Sequence, residues 1–245
     1  MSAVNLAGQA FDPLTLEQAA AAIAARGADA PFGYVVTPNA DHLVRAAADP
    51  SLQAAYRGAM LRLLDSRVVA GLSRLCGLRR PPVVPGSDLT AHLLEHHVQP
   101  GERVTIVGLA PQFLPALTAR FRLASPAHLN PPMGFDRDPT SFAAAVNFVR
   151  ANPARFIFLA VGSPRQERLA AAIAQAGGAR GTALCIGASL DFLVGAQHRA
   201  PTGFQKVGLE WLFRLANDPS RMARRYLVDS PKIIRLLVKQ RLEAG

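Results

Sequence analysis

Asp65 is the residue of this chain with the clearest potential for chemistry. It comes directly after the largely apolar run at residues 60–64, so it would leave the core where a buried strand ends. A partly desolvated carboxylate at such a point can take a proton from an attacking hydroxyl, which is general-base chemistry. A helix N-cap or a turn aspartate would explain the same position. The residues alone leave these alternatives open.

Further polar residues and glycines follow other short apolar runs. In an open parallel α/β sheet, ligands bind beyond the carboxyl ends of the strands, and these ends meet at one edge. We therefore expect a shared site formed by Thr37, Asn39, Asp65, Gly108, Gly162, Ser163, Gln166, Gly187 and Asp191. Within it, Asp191 could bond ribose hydroxyls, or it could cap the short helix that it opens.

The segment GSPRQE, at residues 162–167, joins a predicted strand to a predicted helix. Ser163 as the N-cap, Pro164 in the first helical position and Gln166 closing a capping box would account for it without a ligand. The same helix start would also present N–H groups and the positive end of its dipole to an anion such as a diphosphate. The two interpretations are compatible.

Several cofactor and metal chemistries lack a motif in this chain. The glycines after Val107 do not form a GxGxxG fingerprint, and no GxxxxGKS or GxxxxGKT loop occurs, so neither NAD nor ATP is indicated. His92 and His96 share a helix face but lack the acid of an HExxH zinc site. Ser163 is not in a GxSxG elbow, which leaves acyl hydrolysis unsupported. We expect no cofactor and no metal ion.

The elements that must position these residues alternate in type. Strands are predicted at residues 34–37, 61–65, 103–108, 156–162 and 182–187. Helices are predicted from Thr15, with a capping box to Gln18, and at residues 40–57, 88–97, 112–121, 140–151 and 164–176. Such alternation predicts an α/β fold with a Rossmann-like, mostly parallel sheet flanked by helices.

From about Pro201 the pattern becomes helical. Helices are predicted at residues 204–216, 220–228 and 232–243, with Asp218-Pro219 and Ser230-Pro231 marking helix starts. Residues 211–245 carry eight Lys or Arg against three acids, which is half of the net charge of +10. We expect an α/β catalytic domain over residues 1–200 and a basic helical appendage over residues 201–245.

The basic charge suits a polyanionic partner: nucleic acid, an acidic membrane surface or a phosphate-bearing substrate. An Arg-rich codon usage of the genome would also raise the net charge, without any polyanionic partner. A nucleic-acid-binding α/β protein is one alternative, although the tail lacks RNP, KH and C₂H₂ signatures. A nucleotide-dependent enzyme of another class, such as a reductase, is another. No signal peptide and no run of about 20 apolar residues is recognisable, so we expect a soluble protein or one bound to one membrane face.

In order and spacing, motifs along nearly the whole chain resemble the WecG/TagA/CpsF family of bacterial glycosyltransferases (glycosyltransferase family 26). Each motif is weak alone, but the series is specific. The motifs are Thr37-Pro38-Asn39, Leu64-Asp65, PGSDL at residues 85–89, GSPRQE at residues 162–167, Asp191-Phe192 with Gly195, Arg199-Ala200-Pro201 and GLEWLFR at residues 208–214.

The resemblance implies a GT-E type fold and an inverting, metal-independent transferase. Such an enzyme moves a sugar from a UDP-sugar to a polyprenyl-diphosphate-linked sugar at the inner face of the cell membrane. Asp65 would deprotonate the acceptor hydroxyl. Thr37 and Asn39 would stand beside it in the catalytic group and, with Gln166, line the sugar and nucleotide pocket. Asp191 would hold the uridine end.

The resemblance also implies that the appendage completes the active site. Arg214, Arg221 and Arg224 would bring cations to the diphosphates, since without a metal the departing UDP needs positive charge from the protein. An anionic lipid surface would attract the same helices. Arg199 could contact a phosphate or be a surface arginine.

The chain departs from the family pattern at three glycines. Ser66 follows Asp65 where the family usually has glycine, and Leu109 and Ala188 each replace the second glycine of a pair. The added side chains could narrow the pocket, so the donor sugar stays open between N-acetylmannosamine, its uronic acid and a hexose. Oligomeric state also stays open, and a homo-oligomer is compatible with the sequence.

Overall fold

A central sheet and an N-terminal hairpin contain all the strands of the part of the chain that the structure describes. This computed structural model describes residues 2–197, 200–201, 203–204 and 210–243. The strands are β1 Val4–Leu6, β2 Gln9–Phe11, β3 Gly33–Val36, β4 Leu61–Arg62, β5 Thr105–Gly108, β6 Ala127–Leu129, β7 Ala154–Ala160 and β8 Gly181–Cys185. β1 and β2 pair antiparallel, and the other six form one sheet in the order β4-β3-β8-β7-β5-β6.

Every pairing within the six-stranded sheet is parallel. This confirms the predicted α/β fold with a Rossmann-like sheet, and each of the five predicted strands overlaps an observed one. β6 and the hairpin were not predicted. They have three residues each, too few for a periodic pattern, and β6 becomes a strand by pairing with the edge of β5.

The helices lie between the strands and at the carboxyl end of the chain. They are α1 Leu16–Ala24, α2 Ala40–Ala48, α3 Pro50–Gly58, α4 Arg67–Leu75, α5 Gly86–His96, α6 Leu114–Phe121, α7 Pro139–Ala151, α8 Arg165–Ala176, α9 Ser189–Leu193, α10 Glu210–Asn217, α11 Pro219–Ala223 and α12 Ile233–Glu243. A π-helical turn, Arg224–Asp229, and a 3₁₀ turn, Ser230–Lys232, connect α11 to α12. The predicted capping box between Thr15 and Gln18 is confirmed.

The single helix predicted at residues 40–57 is wrong, because two helices occupy this segment. Asp49 has extended backbone angles and caps α3, its carboxylate accepting hydrogen bonds from the N–H groups of Ser51 and Leu52. Pro50 is the first residue of α3, and a residue that precedes proline is disfavoured in the helical region. α4 was also not predicted; Ser66 caps it by accepting a hydrogen bond from the Val69 N–H.

Both faces of the sheet are covered by helices, which gives two large apolar clusters. One cluster contains Ile23 of α1 and Leu93 of α5, and the other contains Tyr56 of α3 and Ile173 of α8. Strands buried on both faces account for the continuous apolar runs in the sequence. The sheet, packed on both faces, supports the loops at its carboxyl edge.

A third apolar cluster holds α12 against the body of the protein. Ile233 and Leu237 of α12 are buried with Phe11 of the hairpin and Leu43 of α2. The Gln240 side chain accepts a hydrogen bond from the Ala7 N–H at 2.7 Å and donates one to the hairpin. The final helix is thus part of the packed core, while the division into domains at residue 200 stays a prediction.

Within the described residues, no helix combines the length and the apolar character needed to span a membrane.

Candidate functional site

The carboxyl ends of the parallel strands bring most of the predicted site residues to one edge of the sheet. Two cavities open along this edge. The Asp65 cavity, with a volume of about 550 Å³, lies beyond β3 and β4 and is lined by Asn39 and Asp65. The Asp191 cavity, of about 280 Å³, lies beyond β5, β7 and β8 and is lined by four predicted site residues: Gly108, Gly162, Gly187 and Asp191.

The wall of the Asp65 cavity is mostly apolar. Part of the wall comes from the α/β body and part from the carboxyl-terminal helices and the turns between them. Apolar lining residues include Val68, Leu72, Val83, Trp211, Leu227 and Ile234. The polar residues that line the cavity in addition to Asp65 are Asn39, Asp41, Ser66, Arg67 and Ser230.

Asp65 is held on both sides by backbone hydrogen bonds. Its N–H donates a hydrogen bond to the Pro38 carbonyl at 3.1 Å. The preceding residue, Leu64, forms an isolated parallel β-bridge with Val83. One carboxylate oxygen, Oδ2, accepts a hydrogen bond from the Gly86 N–H at 3.2 Å. Since Ser66 caps α4, the alternative in which Asp65 is that helix's N-cap is wrong.

Thr37 and Asn39 lie close to Asp65 in different roles. Thr37 is buried, and its hydroxyl lies beside Gly86 rather than on the cavity wall. Asn39 lines the cavity and also caps α2, because its side-chain oxygen accepts a hydrogen bond from the His42 N–H at 3.3 Å. The Asn39 side chain is therefore fixed in place by the helix that it begins.

The Asp191 cavity is formed by loops in unusual backbone conformations. Gly108 has φ +103°, and a Cβ there would lie 2.6 Å from the Ala160 carbonyl oxygen, so only glycine fits between these strand ends. Leu109 follows in the left-handed region, at φ +62°. The Nε2 atom of His128 lies 2.9 Å from the Gly108 carbonyl oxygen and 3.0 Å from that of Leu109, which ties the turn to β6.

Gln166 is buried and does not line either cavity. Its side-chain oxygen accepts a hydrogen bond from the Gly187 N–H at 2.8 Å, and its Nε2 donates to the Glu167 carboxyl at 3.0 Å. Burial raises the pKa of Glu167. Gln166 therefore connects α8 to the loop after β8, and a direct contact of its side chain with a ligand stays a prediction.

The capping arrangement predicted for the segment at residues 162–167 is wrong. Pro164 itself is the N-cap, its peptide bond to Ser163 is cis, and α8 begins at Arg165 without a side-chain cap. Instead of closing a capping box, the Gln166 side chain turns inward to Gly187. The start of α8 is held from outside, where Arg45 donates a hydrogen bond to the Ser163 carbonyl at 3.3 Å.

Asp191 lies in the first turn of α9, which starts two residues earlier at Ser189. The alternative in which Asp191 caps this helix is therefore wrong. Its carboxylate accepts a hydrogen bond from the Gln197 amide at 3.1 Å, and burial raises its pKa. A half-buried acid on a cavity wall is a suitable acceptor for ligand hydroxyl groups.

The predicted cations are only partly described. Arg199 lies outside the described residues. Arg214 and Arg221 belong to α10 and α11, but their side chains also lie outside the description. Arg224 is exposed, and its guanidinium lies 3.7 Å from the Asp229 carboxylate.

Sequence reasoning missed Arg67, which lines the Asp65 cavity, and two residues at the Asp191 cavity. Arg165 supplies a cation to the Asp191 cavity, although it lies within the GSPRQE segment that the sequence had singled out. Met133, exposed on the loop after β6, also lines this cavity, and only the unpredicted edge strand brings it there. Across the described residues, no group of three or more His, Cys, Asp or Glu side chains is arranged to hold a metal ion.

Comparison with known protein families shows a match over nearly the whole chain. The model of the family described as "Glycosyl transferase WecG/TagA/CpsF family" matches residues 4–245. The match therefore includes both cavities and the carboxyl-terminal helices.

Proposed function

This chain belongs to the WecG/TagA/CpsF family of glycosyltransferases, which act in cell-surface polysaccharide biosynthesis, and we propose that it is an inverting, metal-independent member. The donor in this proposal is a UDP-sugar carrying N-acetylmannosamine or a related sugar, or a hexose. The acceptor is a sugar linked to a polyprenyl diphosphate.

The observation that carries the proposal is the setting of Asp65. Its carboxylate lies on the wall of a mostly apolar cavity, beside a second cavity at the same sheet edge. An apolar cavity suits the lipid-proximal part of an acceptor, and the smaller cavity, with Asp191 and Arg165, suits a sugar nucleotide. The donor and the acceptor would then meet beyond the carboxyl ends of the parallel strands.

In the proposed reaction, Asp65 takes the proton of the acceptor hydroxyl as its oxygen attacks the anomeric carbon of the donor. The bond from that carbon to UDP breaks on the opposite side, so the configuration at the carbon inverts. General-base assistance of this kind contributes about 10²- to 10⁴-fold to a rate. Asn39, which lines the same cavity, orients the acceptor sugar in this proposal, and the buried Thr37 supports the site from behind the cavity wall.

The donor site of the proposal is built on Asp191 and the glycine loops. The Asp191 carboxylate accepts hydrogen bonds from ribose hydroxyls, and Gly108, Gly162 and Gly187 let the backbone approach the nucleotide closely. Gln166 supports this site by fixing the Gly187 N–H.

Positive charge for the departing UDP comes from arginines in this proposal. Arg165 lines the Asp191 cavity, and Arg214, Arg221, Arg224 and Arg199 are the candidates from the carboxyl-terminal part. Guanidinium groups bind phosphates through paired N–H donors, which makes them suitable partners for a diphosphate.

A membrane-facing surface is proposed on α12. Ile234, Val238 and Leu242 recur every fourth residue and are 47%, 44% and 77% exposed. Cations that accompany this apolar stripe are Arg224, Lys232, Arg235, Lys239 and Arg241. An apolar stripe with flanking cations is typical of helices that lie on anionic lipid.

Because Ile234 also lines the Asp65 cavity, a lipid-linked acceptor could reach Asp65 from this surface. We propose peripheral binding at the inner face of the cell membrane.

The first prediction tests Asp65 directly. We expect Asp65→Asn and Asp65→Ala to keep the fold and to lower kcat at least about 100-fold, because the proton acceptor is lost. The assay follows sugar transfer from a panel of UDP-sugars to a synthetic polyprenyl-diphosphate-linked sugar, with and without a metal chelator, and assigns the product anomer by NMR.

Glu95→Gln is the matched control, since it removes one exposed negative charge near the other end of α5 and should leave turnover unchanged. Normal turnover in Asp65→Asn would exclude Asp65 as the base. Binding of NAD(P) without UDP, or tight and steeply salt-dependent binding of nucleic acid without sugar transfer, would overturn the proposed function as a whole.

A further inference from the structure

Gly86 lies next to two members of the proposed catalytic group, Thr37 and Asp65. It is the first residue of α5, it is buried, and Pro85 precedes it without any side-chain cap. The first N–H groups of a helix have no partner within the helix and carry its partial positive charge. The Gly86 N–H is satisfied from outside, by Oδ2 of Asp65 at 3.2 Å.

This hydrogen bond restricts the direction of the Asp65 carboxylate. The Asp65 backbone is already anchored to Pro38, and Val84 donates a hydrogen bond to the Leu64 carbonyl at 2.8 Å. With the backbone held by its neighbours, the remaining freedom of Asp65 is rotation of its side chain. The bond to Gly86 restricts that rotation.

The space beside Gly86 explains why no larger residue fits there. A Cβ on Gly86 would lie 2.6 Å from Oγ1 of Thr37 and 3.7 Å from Oδ2 of Asp65. Gly86 is helical and is not among the glycines with positive φ, so its backbone conformation does not require glycine. The requirement comes from the Thr37 hydroxyl, which occupies the volume that a side chain would need.

We infer that Gly86 is a positioning residue for the proposed base: its N–H holds one oxygen of the Asp65 carboxylate, and its missing side chain leaves room for the Thr37 hydroxyl. The inference rests on the proposed function of Asp65. Gly86 does not touch the substrate in this scheme; it acts through Asp65 and Thr37.

The second prediction concerns Gly86→Ala. The added methyl group must displace Thr37, α5 or both, and the hydrogen bond to Asp65 then lengthens. We expect kcat to fall about 10- to 100-fold, the range that a displacement of about 1 Å can produce. The KM for the UDP-sugar should change less than about threefold, because Gly86 does not line the Asp191 cavity.

Two double variants distinguish a positioning role of Gly86 from a general disturbance of the structure. In Asp65→Asn, the added Gly86→Ala should lower the residual rate no further, since residues that act as a unit are not additive. In Thr37→Ala, the hydroxyl that clashes is gone, so adding Gly86→Ala should cost less than about twofold relative to Thr37→Ala alone. This second comparison remains decisive if the single variant does not fold.

Gly58→Ala is the matched steric control. A Cβ there would lie 2.8 Å from the Tyr34 hydroxyl, a comparable clash in another helix away from both cavities. We expect it to lower the melting temperature and to leave kcat unchanged. Three results would each overturn the inference. Gly86→Ala could keep the wild-type kcat, it could lower kcat equally in the wild-type and Thr37→Ala proteins, or the Thr37→Ala/Gly86→Ala double variant could fail to fold.

The proposed function is tested separately by Asp65→Asn. If Asp65→Asn is inactive in the same assay, the proposed function survives even when the inference about Gly86 is overturned.

Discussion

In the turn at the Asp191 cavity, burial of one side chain offsets the strain of its own backbone conformation. Leu109 adopts left-handed angles, which cost a non-glycine residue about 1–2 kcal/mol. Its side chain is buried, and burying a leucine stabilises by about 1.5–3 kcal/mol. The burial therefore offsets the strain, and the contacts of His128 with both carbonyl groups hold the turn. This explains why Leu109 is tolerated at a position where the family pattern has the second glycine of a pair.

Asp191 carries the third prediction, which concerns stability and pH. Burial raises its pKa above the ordinary value of 3.8, so the folded chain binds a proton more readily than the unfolded chain. The contribution of this group to stability is therefore complete at low pH and is lost as the pH rises through the folded-state pKa. We expect Asp191→Asn to raise the melting temperature at about pH 8, and the gain to shrink as the pH approaches 4.

The same substitution should weaken UDP binding, because the proposed acceptor for ribose hydroxyls loses its charge. Melting curves across the pH range and calorimetric titration with UDP measure the two effects separately. A gain in melting temperature that is independent of pH would show that the charge is not its cause. Unchanged UDP affinity would remove Asp191 from the proposed nucleotide site.

Among the elements, α12 has two faces with different roles. Ile233 and Leu237 are buried against the hairpin, α2 and α4, whereas Ile234 and Val238 are half-exposed on the adjacent side. One helix thus stabilises the fold with one face and presents the proposed lipid surface with the other. The connection through Gln240 to the hairpin spans almost the full length of the chain, so both ends are held together.

The fourth prediction separates these faces by stability. Leu237→Ala should lower the free energy of unfolding by about 2–5 kcal/mol, because it removes a fully buried leucine and leaves a cavity. Val238→Ala, one residue further on, should change it by less than about 1 kcal/mol. Denaturant unfolding of both variants provides the comparison, and equal effects would mean that α12 does not pack on the body in solution.

For the molecule as a whole, the location of charge and apolar surface decides how it meets a membrane. The exposed stripe of Ile234, Val238 and Leu242 lies in the basic carboxyl-terminal part of the sequence, and its first residue, Ile234, also lines the Asp65 cavity. Binding through this surface would therefore place the proposed base next to the lipid phase.

The fifth prediction tests that placement. The protein should sediment with vesicles rich in phosphatidylglycerol and less with phosphatidylcholine vesicles, and added salt should weaken binding because it screens charge. Replacing Ile234, Val238 and Leu242 with serine should reduce binding at least about tenfold, since each loses buried apolar area. Met133→Ser removes an exposed side chain elsewhere and should have no effect. Equal binding by the triple variant would assign membrane contact to another surface.

The sequence predicts the alternation of strands and helices, the parallel sheet and the family, because periodicity and short motifs are local properties of the chain. It also placed Asp65, Gly108, Gly162 and Gly187 at strand ends. It could not show that Gln166 turns inward to Gly187, that Gly86 holds Asp65, or that Gln240 reaches the hairpin. These contacts join residues 21, 21 and 233 positions apart. They depend on the folded arrangement of the whole chain, since strand order and helix packing set which distant backbone groups meet and how much space lies between them.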